Sequence, residues 1–160
     1  MNFIEGLPKS HGSNAILVVV DRLSKYNHFI ALNHPFSAKE VAQLFLKEIV
    51  RLHGFPKTVV SDRGQVFLST FWRELHTLQG TELKFSSSYH PQTDGQIEVV
   101  NRCLENYLRC AVFDKLKQWK LWLHWAEYSY NTSYHSSTKM TPFRAIYVRN
   151  PPKLIKYRIR

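Results

Sequence analysis

A chain of 160 residues that is 44% hydrophobic is the size of one ordinary domain and carries enough apolar side chains for a substantial core. Lys and Arg outnumber Asp and Glu 22 to 12, a formal charge of +10, which points to a polyanionic partner, most commonly nucleic acid; the plainer alternative is a basic surface kept for solubility, because no block of five or six like charges stands out. No apolar run approaches the ~20 residues of a membrane span, and the N-terminus lacks a signal peptide's basic-then-apolar succession, so membrane and secreted classes are excluded and an intracellular compartment is expected.

Taken in order, Asn2 to Glu5 alternates polar and apolar before Gly6-Leu7-Pro8 and reads as a strand. Ala15 to Val20 is a continuous β-branched run, as expected of a strand buried on both faces, and Tyr26 to Leu32 is a third strand after a tight turn. From Ser37 the period changes. Ser37 with Glu40 forms a capping box, and Val41, Leu44, Phe45, Ile49 and Leu52 make an apolar helical stripe closed by Gly54. Thr58 to Ser61 is a short strand that delivers Asp62 at its end; Phe67 to Leu78 is helical, and Leu83 to Ser86 is the last strand. Three strands, helix, strand, helix, strand and then helices predict an α/β fold with a mixed five-stranded sheet flanked by helices.

Gln118 to Tyr130 carries Trp119, Trp122 and Trp125. A base-stacking platform is one reading, but Trp122, Trp125 or Ala126, and Ser129 or Tyr130 recur at helical spacing, which favours core or subunit packing. Thr141-Pro142-Phe143 opens a short final helix with Pro in its first turn. Cys103 and Cys110 lie two helical turns apart, too far to bridge, and read as buried thiols. The eight histidines show no zinc-site spacing.

The densest chemistry lies between Tyr89 and Arg102, where a turn-prone segment punctuated by Pro91 and Gly95 runs into a helix capped by Thr93 or Asp94. Glu98 then falls near the first turn, where the macrodipole favours negative charge. Glu98, Arg102, Glu105 and Arg109 form one polar stripe bordered by Asn101, while Val100, Cys103, Leu104, Tyr107, Leu108 and Ala111 face a core. Glu98–Arg102 and Glu105–Arg109 pairs are each worth about 0.3–0.5 kcal/mol if the stripe is merely solvated. Upstream, Asp62 at a strand end supplies a second carboxylate, with 35 residues between it and Glu98.

Val-Ser-Asp62-Arg-Gly and His-Pro-Gln-Thr-Asp-Gly-Gln before Glu98, followed by Tyr130-Asn131, His135-Ser-Ser-Thr138 and Thr141-Pro-Phe143, resemble the catalytic core of retroviral-type integrases, especially the Ty3/gypsy retrotransposon class. The resemblance covers nearly the whole chain. It implies a ribonuclease-H-like fold, Mg²⁺ or Mn²⁺ as cofactor, homo-oligomers acting on element ends and target DNA in the nucleus, and a two-step reaction in which water trims the DNA end and the freed 3′ hydroxyl attacks the target. It assigns residues 1–148 to the core and 149–160 to a linker or the start of a C-terminal domain.

On the first strand the family pattern Asp-Phe-Ile-Glu-Gly-Leu-Pro is matched by Asn2-Phe3-Ile4-Glu5-Gly6-Leu7-Pro8. Asn2 therefore occupies the position of the first catalytic Asp. The other two positions fall on Asp62 and Glu98, the expected metal ligands, with binding weakened because an amide has one neutral carbonyl oxygen where a carboxylate has two charged ones. Glu5 is expected to point away from Asn2, which leaves Asp21 as the candidate to compensate. The resemblance further implies DNA contacts from the loop Tyr89 to Gln96, through Tyr89, His90, Gln92 and Gln96, and from Asn101 and Arg102, with Lys25 and Arg63 as lesser candidates. The family's zinc-binding domain before the core and β-domain after it are not in this sequence, and Met1 reads as an internal methionine, so a fragment is expected. Two rivals are a non-catalytic DNA-binding and self-association module, favoured by Asn2, and a nuclease of RNA–DNA hybrids, disfavoured by the residues around the carboxylates.

Overall fold

Because β2 (Ala15–Val20) is apolar at every position, it can serve two cores at once, and in the computed structural model it does. The structure describes residues 1–86 and 91–154, with the backbone alone at 91–94. β2 pairs antiparallel with β1 (Asn2–Ile4), setting Asn2 opposite Val18, and with β3 (Asn27–Leu32), setting Val20 opposite Asn27. Successive side chains leave a strand on opposite faces. Ala15 and Leu17 thus enter one core with Leu32, Val41, Phe45, Phe67 and Trp72, while Ile16 and Val18 enter the other with Val100, Leu104, Leu108, Trp119 and Leu123. Helices consequently cover both faces.

The expected five-stranded sheet is corrected to two sheets: β1-β2-β3, and a parallel pair of β4 (Thr58–Ser61) with β5 (Glu82–Phe85). The amino group of Met1 donates to the Val60 carbonyl at 2.6 Å and bridges them. β1 is only three residues long, and one bond does not make a ladder.

α1 (Ala38–Phe45) begins with the full Ser37–Glu40 capping box and continues through a π turn at Leu46–Val50 into α2 (Arg51–His53), where Gly54 at φ 76 ends the helix. The π turn inserts an extra residue, which rotates Leu52 off the expected stripe; it is 51% exposed while Val41, Phe45 and Ile49 are buried. The single helix expected over 67–78 is two, α3 (Gln65–Leu68) and α4 (Thr70–Leu78), divided at Ser69, whose hydroxyl caps α4.

α5 (Pro91–Val112) starts earlier than the sequence implied. Thr93 and Asp94 are inside it rather than capping it, and Glu98 is two turns in, beyond the reach of the terminal dipole. Its buried stripe is Val100, Leu104, Leu108 and Val112, which leaves both Cys103 and Cys110 exposed and corrects their reading as buried thiols. In α6 (Trp119–Thr132) the core face is Trp119, Leu123 and Ala126, whereas Trp122 and Trp125 are 38% and 42% exposed. α7 (Pro142–Tyr147) opens as expected, with Thr141 as cap and Pro142 in the first turn. Among the described residues no helix is long and apolar enough to cross a membrane.

Candidate active site

Three separate elements deliver the predicted polar residues to one place. Asn2 comes from β1, Asp62 follows β4 directly, and Glu98, Asn101, Arg102 and Glu105 project from one face of α5; with Ile97 they line an open cleft of about 530 Å³. Spacing of three and four residues along α5 is what gathers the last four. Glu105 was part of the polar stripe, but its place in the cleft required the tertiary structure.

The Asp62 carboxylate is held by a local turn. Its Oδ1 accepts from the Gly64 N–H at 2.8 Å. A Cβ at Gly64 would stand 2.9 Å from that same oxygen, so glycine is what permits the turn. Glu98 receives the Arg102 guanidinium at 2.8 Å, with both side chains largely exposed. The companion Glu105–Arg109 pair is not formed. The Oδ1 atoms of Asn2 on β1 and of Asn101 on α5 are buried without a hydrogen-bond partner among the described residues. The cleft's polar oxygens, from Asp62, Glu98, Glu105 and the two amides, are of the kind that suits hard cations rather than soft ones, although among the described residues no three His, Cys, Asp or Glu side chains are gathered closely enough to hold a metal ion together.

Asp21 does not join this set. It lies outside the cleft lining, and its Oδ2 accepts from both the backbone and the hydroxyl of Ser24, closing the β2–β3 turn. Burial alone would raise its pKa, but the Ser24 bonds outweigh it and hold the carboxyl below its usual value. Asp21 is thus engaged in its own turn, apart from the cleft that Asn2 lines. Glu5 stays away as expected, half-exposed, with His34 at 3.9 Å.

Of the expected DNA contacts, Asn101 and Arg102 line the cleft. Gln96 lies in an adjoining basin, where its Oε1 accepts from Lys25 Nζ at 3.1 Å and ties α5 to the β2–β3 turn. Tyr89 and His90 lie outside the described residues, as does the side chain of Gln92. Arg63 is exposed and lines neither cavity.

No family model matches the chain. It is 36% identical over 151 residues, 94% of its length, to the Transposon Tf2-3 and Tf2-4 polyproteins of Schizosaccharomyces pombe. Its fold superposes on the HTLV-2 integrase catalytic core domain in complex with magnesium, with TM-score 0.70, 18% identity, and 89% and 92% of the two chains covered. The BIV integrase catalytic core gives TM-score 0.69 at 20% identity, covering 92% and 93%. Its sequence relatives are Ty3/gypsy-type transposon polyproteins, and its fold is that of retroviral integrase catalytic cores. The chain spans 11% of the length of the polyproteins it matches. A protein of the simian T-cell lymphotropic virus intasome also superposes, with TM-score 0.76 at 16% identity, over 99% of this chain and 57% of that one. Within the cleft, the amide of Asn2 stands among the carboxylates of Asp62, Glu98 and Glu105.

Proposed function

We propose that this chain is a DNA-integration core, of polynucleotidyl transferase ancestry, whose ability to join DNA ends to a target is severely impaired by Asn2. The observation that carries this reading is that Asn2, Asp62 and Glu98, far apart in sequence, line one open cleft. Residues 1–148 are the core unit, and 149–160 a linker or the start of a C-terminal domain. The partners are element ends and target DNA, bound by a homo-oligomer in the nucleus.

Asp62 and Glu98 are the residues that hold a divalent cation, Mg²⁺ or Mn²⁺. When bound there, such a cation neutralises charge on the attacking and leaving oxygens of an in-line phosphoryl displacement. The donor set fits a hard ion in kind, but the third carboxylate is an amide whose single neutral oxygen cannot anchor two cations as a carboxylate does. Binding is therefore weak. Arg102, while neutralising Glu98, is placed to meet a phosphate, and Asn101 offers an amide beside it; such contacts position DNA without reading its sequence.

The test compares this chain with Asn2→Asp for Mg²⁺ or Mn²⁺ affinity and for strand transfer on a short duplex. Tighter binding and efficient joining in the variant alone is the expected result. Equal joining by both proteins refutes the impairment.

A second reading is a non-catalytic DNA-binding and self-association module. Its support is the exposed apolar surface of α6, where Leu121, Trp122 and Trp125 are 49%, 38% and 42% exposed. Binding of DNA by both proteins with joining by neither is the outcome that selects it.

A further inference from the structure

Away from the cleft, three titratable side chains meet that no sequence pattern connects. His28 on β3 has its Nδ1 3.2 Å from Oε1 of Glu127 on α6. The other carboxylate oxygen, Oε2, accepts from the Phe29 N–H at 2.8 Å, which fixes the carboxylate in place. An ionised carboxylate only accepts, so His28 keeps its proton on Nδ1 and turns the Nε2 lone pair outward. Nε2 of His53, in the last turn of α2, lies 2.9 Å from it. Two imidazole nitrogens thus converge on one point at the wall of a basin of about 810 Å³.

We propose that His28 and His53 form a binding site for a borderline d-block dication such as Zn²⁺ or Cu²⁺, with Glu127 as the residue that orients His28. A carboxylate behind a histidine fixes its tautomer and raises its basicity as a ligand. In the ion-free state the His53 Nε2–H donates to His28 Nε2. The cation takes the place of that proton, which moves by way of solvent to His53 Nδ1, so both imidazoles ligate as neutral rings with no net proton released. Zn–N distances of about 2.0–2.1 Å in a tetrahedral shell separate the two nitrogens by about 3.3 Å, an opening of roughly 0.4 Å. His53 is exposed and stands next to the helix-ending Gly54, where such a shift meets little resistance.

The surroundings set the strength. Burial and the neighbouring His28 hold the His53 pKa below its ordinary value, partly offset by the charge of Asp21, so His53 is neutral and able to ligate near pH 7. Arg22, Lys25 and Lys57 line the same basin and oppose a cation. Among the described residues no third His, Cys, Asp or Glu completes a ligand group, so water fills the rest of the shell. The affinity is that of a two-histidine site. Mg²⁺, which prefers oxygen, does not compete there.

The test is calorimetric titration of the full chain with ZnCl₂ in excess Mg²⁺, together with the electron paramagnetic resonance spectrum of added Cu²⁺. One equivalent of Zn²⁺ should bind, with affinity lowered at least tenfold in His53→Gln and about 10–100-fold in Glu127→Gln, and the Cu²⁺ spectrum should lose nitrogen hyperfine structure in His53→Gln. Because His53 is exposed, that variant folds, which is checked by its thermal unfolding. Unchanged binding in Cys103→Ser/Cys110→Ser and in Asp62→Asn/Glu98→Gln is expected. No binding by the parent chain, equal binding by His53→Gln, or loss of the site in either double variant overturns the proposal.

Discussion

Asn131 does for β3 what a neighbouring strand would do, and its replacement should be among the costliest single changes in the chain. β3 is the edge of its sheet, and Asn27 is its first residue. The Asn131 side chain, on a residue only 2% exposed, accepts from the Asn27 N–H at 2.9 Å and donates through Nδ2 to the Asn27 carbonyl at 2.9 Å. Asn131→Leu keeps the volume and leaves both backbone groups buried and unpaired. At about 1–3 kcal/mol for each unsatisfied group, the loss is about 2–6 kcal/mol, against a total of about 5–15 kcal/mol for a domain. Asn27→Ala is the control: its own side-chain amide bonds to nothing in the protein, so truncation leaves both bonds intact and should cost under about 1 kcal/mol. Urea unfolding followed by tryptophan fluorescence measures both through the midpoint at constant slope. If Asn131→Leu lies within about 0.5 kcal/mol of the parent, or if Asn27→Ala costs as much, the strand-mimic argument fails.

His76 is fully buried against Trp72 and Phe45, with Nδ1 bonded to the Trp72 carbonyl and Nε2 unpartnered, and burial holds its pKa below the ordinary 6.5. The unfolded chain therefore accepts a proton that the folded one refuses, so stability is full above about pH 6.5 and falls as the pH drops below it, by at most about 1.4 kcal/mol per pH unit; urea midpoints at several pH values should show a shallower decline in His76→Leu, and identical slopes would count against this account. Gly64→Ala, placed in the Asn2→Asp background, pushes Asp62 Oδ1 off the Gly64 N–H and should lower divalent-ion affinity while leaving the urea midpoint nearly unchanged; undiminished affinity contradicts the role given to the turn. Arg102→Ala should weaken DNA binding evenly across sequences and reduce the salt slope by about 1, an effect that an unchanged slope rules out.

Most of the fold was legible because its signals are local. β2 and β4 fall where the β-branched runs place them, and the capping box at Ser37 and the Thr141-Pro142 start are complete within four residues of sequence. What escaped depends on register and neighbours. The π turn at Leu46–Val50 leaves no mark in the apolar pattern except that Leu52 ends on the wrong side. Cys103 and Trp122 are as apolar as the residues beside them, and only the angle at which α5 and α6 meet the sheet decides that Leu104 and Leu123 face inward instead. Asp62 and Glu98 are legible from their motifs, since strand end and helix face can be read from sequence, whereas the place of Glu105 in the cleft is not. The His28–His53–Glu127 group could not be found in that way, because its members lie on β3, α2 and α6 and share no motif.

The bond from Met1 to Val60 also has a mechanical meaning. Asn2 rides on the three-stranded sheet and Asp62 follows the two-stranded one, so the gap between the two site residues is the width of a seam crossed, among the described residues, by the Met1–Val60 hydrogen bond and held by shared packing of Met1, Leu17, Val59 and Phe67. Spacing at the site therefore depends on how the two sheets pack against one another and not on a continuous hydrogen-bond ladder. A bridging ligand that grips both walls would therefore act as a clasp, locking the two halves of the domain into one register.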